Sequence, residues 1–222
     1  IDEAFHLSFP MIFENKNHLY MIPESEASNS VILYKCISFP YKWEKDKVIL
    51  NNVKACDSVV FQNDLGQYLF ITSLMDEKST NERKNFCYVH NVMYELDEDL
   101  NIIPDSKREL SEGDYGIRNA GKVIKTKSNL IRIAQNCTEG MYGKGLVFWA
   151  MDSYNPYKEH ELANIDYKKA CNHIMHIDHN GKIEGIHTYN CSAHYEIIDF
   201  MIFNELPVYY KLYYFLGNRI FK

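Results

Sequence analysis

The fold of this chain is indicated by two stretches of the same form, HLSFPMIFENKNHLYMIPES at residues 6–25 and ACDSVVFQNDLGQYLFITS at residues 55–73. Each has an apolar strand, a polar turn and a second strand that opens on an aromatic residue. When Tyr20 is aligned with Tyr68, Phe13 falls on Phe61. The repetition predicts that the chain uses one β-hairpin unit several times.

Two further copies extend this repeat. RNAGKVIKTKSNLIRIAQNC covers residues 118–137, with Ile124 at the Phe position and Ile131 at the Tyr position, and GIHTYNCSAHYEIIDF covers residues 185–200. The copies begin near residues 6, 55, 118 and 185, and a period of about 50 to 65 residues is in the range of propeller blades rather than helical solenoids.

Additional strand-like runs between the copies predict two outer strands for each hairpin, at residues 30–37, 43–50, 86–96, 101–110 and 145–151. Two inner and two outer strands form a four-stranded blade. We therefore predict an all-β propeller over residues 1–205, five-bladed in the intact protein, with about four blades recognisable here. IDEAF at residues 1–5 is interpreted as the last outer strand of a first blade that is largely missing, so the chain is expected to be a fragment. Residues 206–222 are expected to form a C-terminal tail that could include a short helix.

Composition excludes several functional classes. Seventeen Tyr and twelve Phe favour strands and surfaces that stack on flat ligands such as sugar rings. A net charge of −6 without a basic stripe argues against nucleic acid as a partner, and no apolar run is long enough to span a bilayer. The six cysteines are scattered, which predicts reduced thiols and a cytoplasmic location. No zinc spacing or cofactor motif is present, so neither a metal nor a cofactor is expected.

Five short motifs carry a family resemblance: HLSFP, YMIPES, RNAG, AQNC followed by YG, and GIHTYN. In this order they resemble the β-propeller domain that precedes the transferase domain in glucosamine inositolphosphorylceramide transferases, a domain that also occurs in bacterial proteins of polysaccharide synthesis. More distantly, the chain is similar to the five-bladed propellers of arabinanase, levansucrase and invertase. The resemblance implies a propeller, a carbohydrate or glycolipid ligand, and a transferase domain or another protein as partner.

This chain departs from the hydrolase pattern at one informative place. Those enzymes carry Asp-Pro at the head of an inner strand, whereas here Ser8 precedes Phe9-Pro10. The Asp that would act as nucleophile or base belongs to the first blade, which is expected to be largely missing here. The resemblance supports the fold and a glycan context better than it supports catalysis.

Inner strands of a propeller converge on a central channel, so polar residues at their ends are expected to form one pocket. Glycoside chemistry needs one protonated and one ionised acid, and the catalytic candidates are Asp57, Glu24 and His187. Arg suits planar, bidentate recognition of phosphate or carboxylate, and the ligand-binding candidates are His6, Ser8, Arg118, Asn119, Arg132, Gln135 and Asn136. Structural roles stay open beside these: Glu24 and Asp57 could cap turns, and Arg132 could pair with a carboxylate of a neighbouring blade.

Three functions follow, in this order of preference. The first is a carbohydrate-recognising module of glycan or glycolipid synthesis with its ligand at the axial pocket. The second is a glycoside hydrolase-like or sugar-transferring enzyme that uses the paired carboxylates Asp57 and Glu24. The third is a protein-interaction scaffold, against which the polar, Arg-bearing set of strand ends argues.

Overall fold

The computed structural model describes residues 1–75, 87–173 and 182–203. The first sheet contains β1 (Ser8–Asn15), β2 (His18–Glu24), β3 (Ser30–Ser38) and β4 (Lys42–Asn51), paired antiparallel in chain order. The second repeats this arrangement with β5 (Ala55–Gln62), β6 (Tyr68–Leu74), β7 (Val89–Leu96) and β8 (Arg108–Gly113). The predicted four-stranded units are therefore confirmed for two sheets.

The third sheet has a divided first strand. Its main order is β10 (Ile124–Lys125), β11 (Leu130–Asn136), β12 (Gly145–Tyr154) and β13 (Tyr157–Asp166), and β9 (Tyr115–Asn119) also pairs with β11. A short helix, α1 (Tyr167–His173), follows. The last described strands form two small sheets, in which β14 (Lys182–Gly185) pairs with β17 (Met201–Phe203), and β15 (Tyr189–Cys191) pairs with β16 (Glu196–Ile198).

The hairpins match as the repeat predicts, with one shift. Phe13 lies opposite Tyr20, and Ile124 lies opposite Ile131, but Phe61 lies opposite Leu69. The shift arises at the turns. β1 and β2 are joined by two residues with positive φ, whereas β5 and β6 are joined by five, ordered by the side-chain oxygen of Asn63, which accepts two backbone hydrogen bonds.

The hydrophobic core lies between successive sheets. Residues of the first and second sheets share one apolar cluster that includes Ile22, Leu33 and Phe70. A second cluster joins strands of the first three sheets, and a third joins the third sheet to the segment that contains Ile186. Sheets that pack face to face in chain order are typical of propeller blades.

Three details differ from the sequence expectations. Ile1–Leu7 form no strand; instead the Glu3 carboxylate accepts a hydrogen bond from the Tyr34 hydroxyl at 2.7 Å. In the predicted strand 101–110, only the end from Arg108 onward is part of a strand, because turns around Asp97 and Ser106 hold the preceding residues. Helix α1 was not expected, since its seven residues are too few to show a helical period. The tail at 206–222 lies outside the described residues.

The candidate site at the ends of the inner strands

A β-bulge positions Asp57. Cys56 lies opposite Ser73 and Val59 lies opposite Ile71, so Asp57 and its neighbour together face one residue of β6. Asp57 has φ of +50°, the left-handed region that a non-glycine residue adopts at a local energetic cost. The bulge therefore interrupts the alternation of the strand at Asp57, whose side chain is almost completely buried.

Arg118, at the end of β9, forms a buried ion pair with Asp57. Its Nε donates a hydrogen bond to Asp57 Oδ2 at 2.6 Å, and its terminal nitrogen lies 3.8 Å from Glu24 Oε2. The side chains of Arg118 and Asp57 are only 9% and 4% exposed. One guanidinium thus lies beside two carboxyl groups from two different sheets, at a place where neither Arg118 nor Asp57 is well solvated.

Two amide side chains hold this pair in place. The Asn119 side chain donates to the backbone carbonyl of Asp57 at 2.7 Å. Gln135 Nε2 donates to Asn119 O at 3.2 Å and lies 3.4 Å from Asp57 Oδ2. These contacts connect the bulge of the second sheet to β9 and β11 of the third, so the carboxylate has little freedom to move.

Glu24 is the most accessible acid of the cluster. It ends β2 opposite Ser8, and its side chain is 20% exposed. Burial and the nearby negative charge of Asp57 raise the pKa of Glu24 to about 7, although Arg118 opposes this shift. Near neutral pH the cluster can therefore carry one proton on Glu24 beside an Asp57 carboxylate that Arg118 stabilises.

Aromatic groups border the other side of Arg118. Its guanidinium lies 5.6 Å from the centre of the Tyr142 ring, whose centre is 5.1 Å from that of the His187 ring. His187 Nδ1 contacts the carboxylate of Asp199, which also accepts a hydrogen bond from the Thr188 backbone N–H at 2.6 Å. A cavity of about 190 Å³ is lined by Tyr142, His187 and Asp199, but Glu24 and Asp57 are not among its lining residues.

The remaining candidates lie apart from this cluster or support it indirectly. Arg132 is buried in a different ion pair, in which Nε and a terminal nitrogen donate to the two oxygens of Glu159 at 2.9 and 2.6 Å. Its other donors contact backbone carbonyls and Asn119. Glu159 lies on β13 in the same sheet as Arg132, so this ion pair does not join neighbouring sheets. Asn136 accepts two hydrogen bonds from Thr138 at the following turn, and His6 is exposed.

Sequence reasoning did not single out Tyr142, Asp199 or Cys56. Tyr142 stands in the YG motif that follows AQNC, and Asp199 lies at the end of the fourth copy. The AQNC–YG motif pair was a signal for Tyr142, because it follows the third copy directly. No sequence signal marks Cys56 as more than a buried strand residue.

One group of side chains has the spacing of metal ligands. Among the described residues, ligand atoms of Glu24, Cys56 and Asp57 all lie within 4.8 Å of one another. However, Arg118 already places a positive charge on Asp57 Oδ2, and burial together with Asp57 raises the pKa of the Cys56 thiol. A guanidinium and a protonated thiol at these positions disfavour a bound cation.

Comparison with known proteins places this site in a family context. The family described as glucosamine inositolphosphorylceramide transferase 1, N-terminal, matches residues 1–183. Glucosamine inositolphosphorylceramide transferase 1 of Arabidopsis thaliana is 33% identical over 146 residues, which cover 65% of this chain and 18% of that protein. The chain therefore spans about a fifth of the length of the curated relatives it matches.

Solved structures of two glycoside hydrolases from Bacteroides thetaiotaomicron resemble the fold. An endo-arabinase has a TM-score of 0.54 at 14% identity, covering 73% of this chain and 66% of that chain. An endo-1,4-β-xylanase has a TM-score of 0.52 at 12% identity, covering 71% and 54%. At these identities the likeness concerns the fold alone, and it confirms the propeller-type, all-β class predicted from the repeat.

Proposed function

Since the chain belongs to the glucosamine inositolphosphorylceramide transferase 1, N-terminal, family, we propose that it is a carbohydrate-recognising propeller module of glycan or glycolipid synthesis. The observation that carries this proposal is the Asp57–Arg118–Glu24 cluster bordered by Tyr142 and His187. It combines fixed hydrogen-bonding groups with aromatic rings.

A sugar is well matched to this combination of groups. Its hydroxyls can accept from Arg118 and donate to Glu24, and its apolar face can stack on an aromatic ring such as Tyr142. The fixed pair of Asp57 and Arg118 supplies polarity without reorganisation when the ligand binds, which favours recognition. We extend the proposal to a five-bladed propeller of which residues 1–205 supply about four blades, with a transferase domain or another protein as its partner.

Binding to the purified chain tests this function. We expect NMR or calorimetric titration with glucose, glucosamine and inositol to reveal binding of at least one of them, weakened at least fivefold by Tyr142→Ala. The matched control is Tyr41→Ala, because Tyr41 is 88% exposed on a turn of the first sheet. Equal loss in both variants, or no binding of any sugar in the panel, contradicts the proposal.

One observation favours a hydrolase-like enzyme as the second candidate. Glu24, with a pKa of about 7, lies beside a carboxylate, the arrangement that general acid catalysis uses. Against it, the nearest ligand atoms of Glu24 and Asp57 lie within 4.8 Å, whereas glycosidases separate their carboxyl groups by about 5 Å or more. Asp57 is also buried and bound to Arg118. Turnover of an aryl glycoside that both Asp57→Asn and Glu24→Gln abolish would establish the enzyme.

We also propose the cytoplasm as the compartment of this chain. Five of the six cysteines are described as free thiols, which supports a reducing environment. Among the described residues, no helix has the length and apolarity needed to cross a bilayer.

A further inference from the structure

A second cavity lies where the inner strands of three sheets approach one another. It has a volume of about 150 Å³ and is lined by residues of β1, of the segment after β9, and of β15 and the residue before it, among them Phe9, Lys122, Thr188 and Asn190. A cavity of about this size holds a single six-membered ring. It shares no lining residue with the cavity beside Tyr142 and His187.

The backbone around Lys122 is fixed. Its N–H donates to Asn190 Oδ1 at 3.0 Å, and the Tyr189 N–H donates to the Ala120 carbonyl at 2.7 Å. Gly121 has φ of +152°, and a Cβ there would lie 1.9 Å from the carbonyl oxygen of Tyr189. The two strands therefore approach so closely that only glycine fits between them, and the position of Lys122 is determined by this contact.

Three polar side-chain groups of this cavity have no partner within the described part of the protein. Within residues 1–75, 87–173 and 182–203, neither the Lys122 ammonium, the Thr188 hydroxyl nor the Asn190 side-chain N–H forms a hydrogen bond or ion pair. Among the residues that the structure describes, Lys122 is the charged residue of the lining, and no carboxylate belongs to it. In a chain of net charge −6, this cavity is a local site of positive charge.

Phe9 provides an apolar wall opposite these groups. It has φ of +43° at a bulge in β1 and is half-buried, packing against the cluster around Met11 and Val59 while lining the cavity. A left-handed conformation is costly for a bulky residue, and such residues concentrate at ligand sites. An aromatic ring beside hydrogen-bond donors suits the face of a sugar.

We propose that this cavity binds a sugar ring that carries an acidic group, with the ring on Phe9 and its carboxylate or phosphate on Lys122. The inference rests on the proposed carbohydrate function and adds the charge class of the ligand. Thr188 and Asn190 donate hydrogen bonds to the ring hydroxyls. A neutral sugar would leave the Lys122 ammonium without a partner and gains less on binding.

Calorimetric titration of the purified chain with glucose, glucuronate, glucose 6-phosphate and inorganic phosphate tests the inference. We expect at least one of the two acidic sugars to bind at least tenfold more tightly than glucose, and Lys122→Met to remove this preference. The control is Lys125→Met, which removes the same charge from an exposed lysine and should preserve the preference. Phe9→Leu should weaken the acidic sugars while leaving any binding of inorganic phosphate unchanged.

The outcomes separate the two proposals. If glucose and both acidic sugars bind equally, the charge inference is wrong and the carbohydrate function stands. If no sugar binds, both are wrong. A preference for acidic sugars that survives Lys122→Met places the anion elsewhere and overturns this site. If inorganic phosphate binds as tightly as both acidic sugars, and if its binding is insensitive to Phe9→Leu, the sugar ring contributes no affinity. This outcome contradicts the role of the ring on Phe9. Circular dichroism of each variant verifies that the fold is retained.

Discussion

Arg118 and Asp57 are 61 positions apart in the chain, yet Arg118 Nε lies 2.6 Å from Asp57 Oδ2 in an ion pair between two sheets. Both side chains are almost fully removed from solvent. Breaking a buried pair by removing one partner leaves an uncompensated charge, which is far more destabilising than removing both. The pair consequently links the stability of the fold to the geometry of the candidate site.

We therefore expect Arg118→Met to lower the free energy of unfolding by about 3–5 kcal/mol. The double variant Arg118→Met with Asp57→Asn should lose less than the sum of the two single variants, because it leaves no buried unpaired charge. Urea unfolding followed by circular dichroism measures all three. Additive losses would show that the two side chains do not stabilise each other.

Glu24 predicts a pH dependence of stability. The folded state raises its pKa from the ordinary 4.5 to about 7, so between these values the folded chain holds a proton that the unfolded chain has released. The resulting contribution of Glu24 to the free energy of unfolding is fully present below about pH 4.5 and is lost as the pH rises through 7. The change is on the order of 3 kcal/mol.

Unfolding by urea at a series of pH values checks this, with Glu24→Gln as the test variant. Gln keeps the uncharged form at every pH, so the fall in stability between pH 4.5 and 7 should become shallower. The same substitution at the exposed Glu14 is the control. If the free energy of unfolding of Glu24→Gln falls with pH as steeply as that of the unsubstituted chain, other groups cause the pH dependence.

Arg132 offers a test of structural against ligand-binding roles. Its donors are taken by Glu159, by backbone carbonyls and by Asn119, so we expect Glu159→Gln to destabilise the fold by a few kcal/mol and to leave sugar affinity unchanged. Glu161→Gln, at an exposed neighbour that accepts from Tyr115, should have little effect on either. If Glu159→Gln stays folded but loses sugar binding, Arg132 has a ligand-binding role.

Gly116, next to these contacts, should not tolerate a side chain. It has φ of +68°, and a Cβ would lie 2.7 Å from ring atoms of Trp149. Gly116→Ala should therefore destabilise by more than about 1 kcal/mol in thermal unfolding. Gly66→Ala is the matched control, because it has φ of +77° but nothing within 4 Å. Equal losses in the two variants would mean that the Trp149 contact adds nothing.

Thiol titration tests the redox state of the chain. Denatured without reductant, it should give six free thiols, and in the native protein the buried Cys56, Cys87 and Cys137 should react more slowly than Cys36 and Cys191. Fewer than six thiols would indicate a disulfide and contradict the cytoplasmic proposal.

The sequence predicts the hairpins well and the site in part. Period-2 alternation and turn residues mark each strand pair, because these signals are local. Glu24, Asp57 and Arg118 were found because strand ends of a repeated unit converge. Tyr142 and Asp199 were not, since Tyr142 lies in a turn after the third copy, Asp199 lies at the far end of the fourth, and only tertiary packing brings them to the site.

Arg132 illustrates the limit of such reasoning. Its place in a repeated strand indicates a pocket residue, but the partner that occupies it, Glu159, lies on an outer strand with no distinguishing signal. The bulges have no clear sequence signal either, because Phe9 is a bulky residue type that rarely adopts positive φ, and Asp57 stands within a run that otherwise reads as a regular strand.

The paired bulges have an evolutionary consequence. Phe9 and Asp57 occupy the same backbone geometry in consecutive sheets, one holding an aromatic ring and the other a carboxylate. The distortion is thus compatible with two unlike side chains, so a substitution at either position can alter the chemistry of the strand end without altering the bulge. A scaffold of this kind can exchange the group it presents at a strand end by point substitution, while the pairing of its strands stays the same.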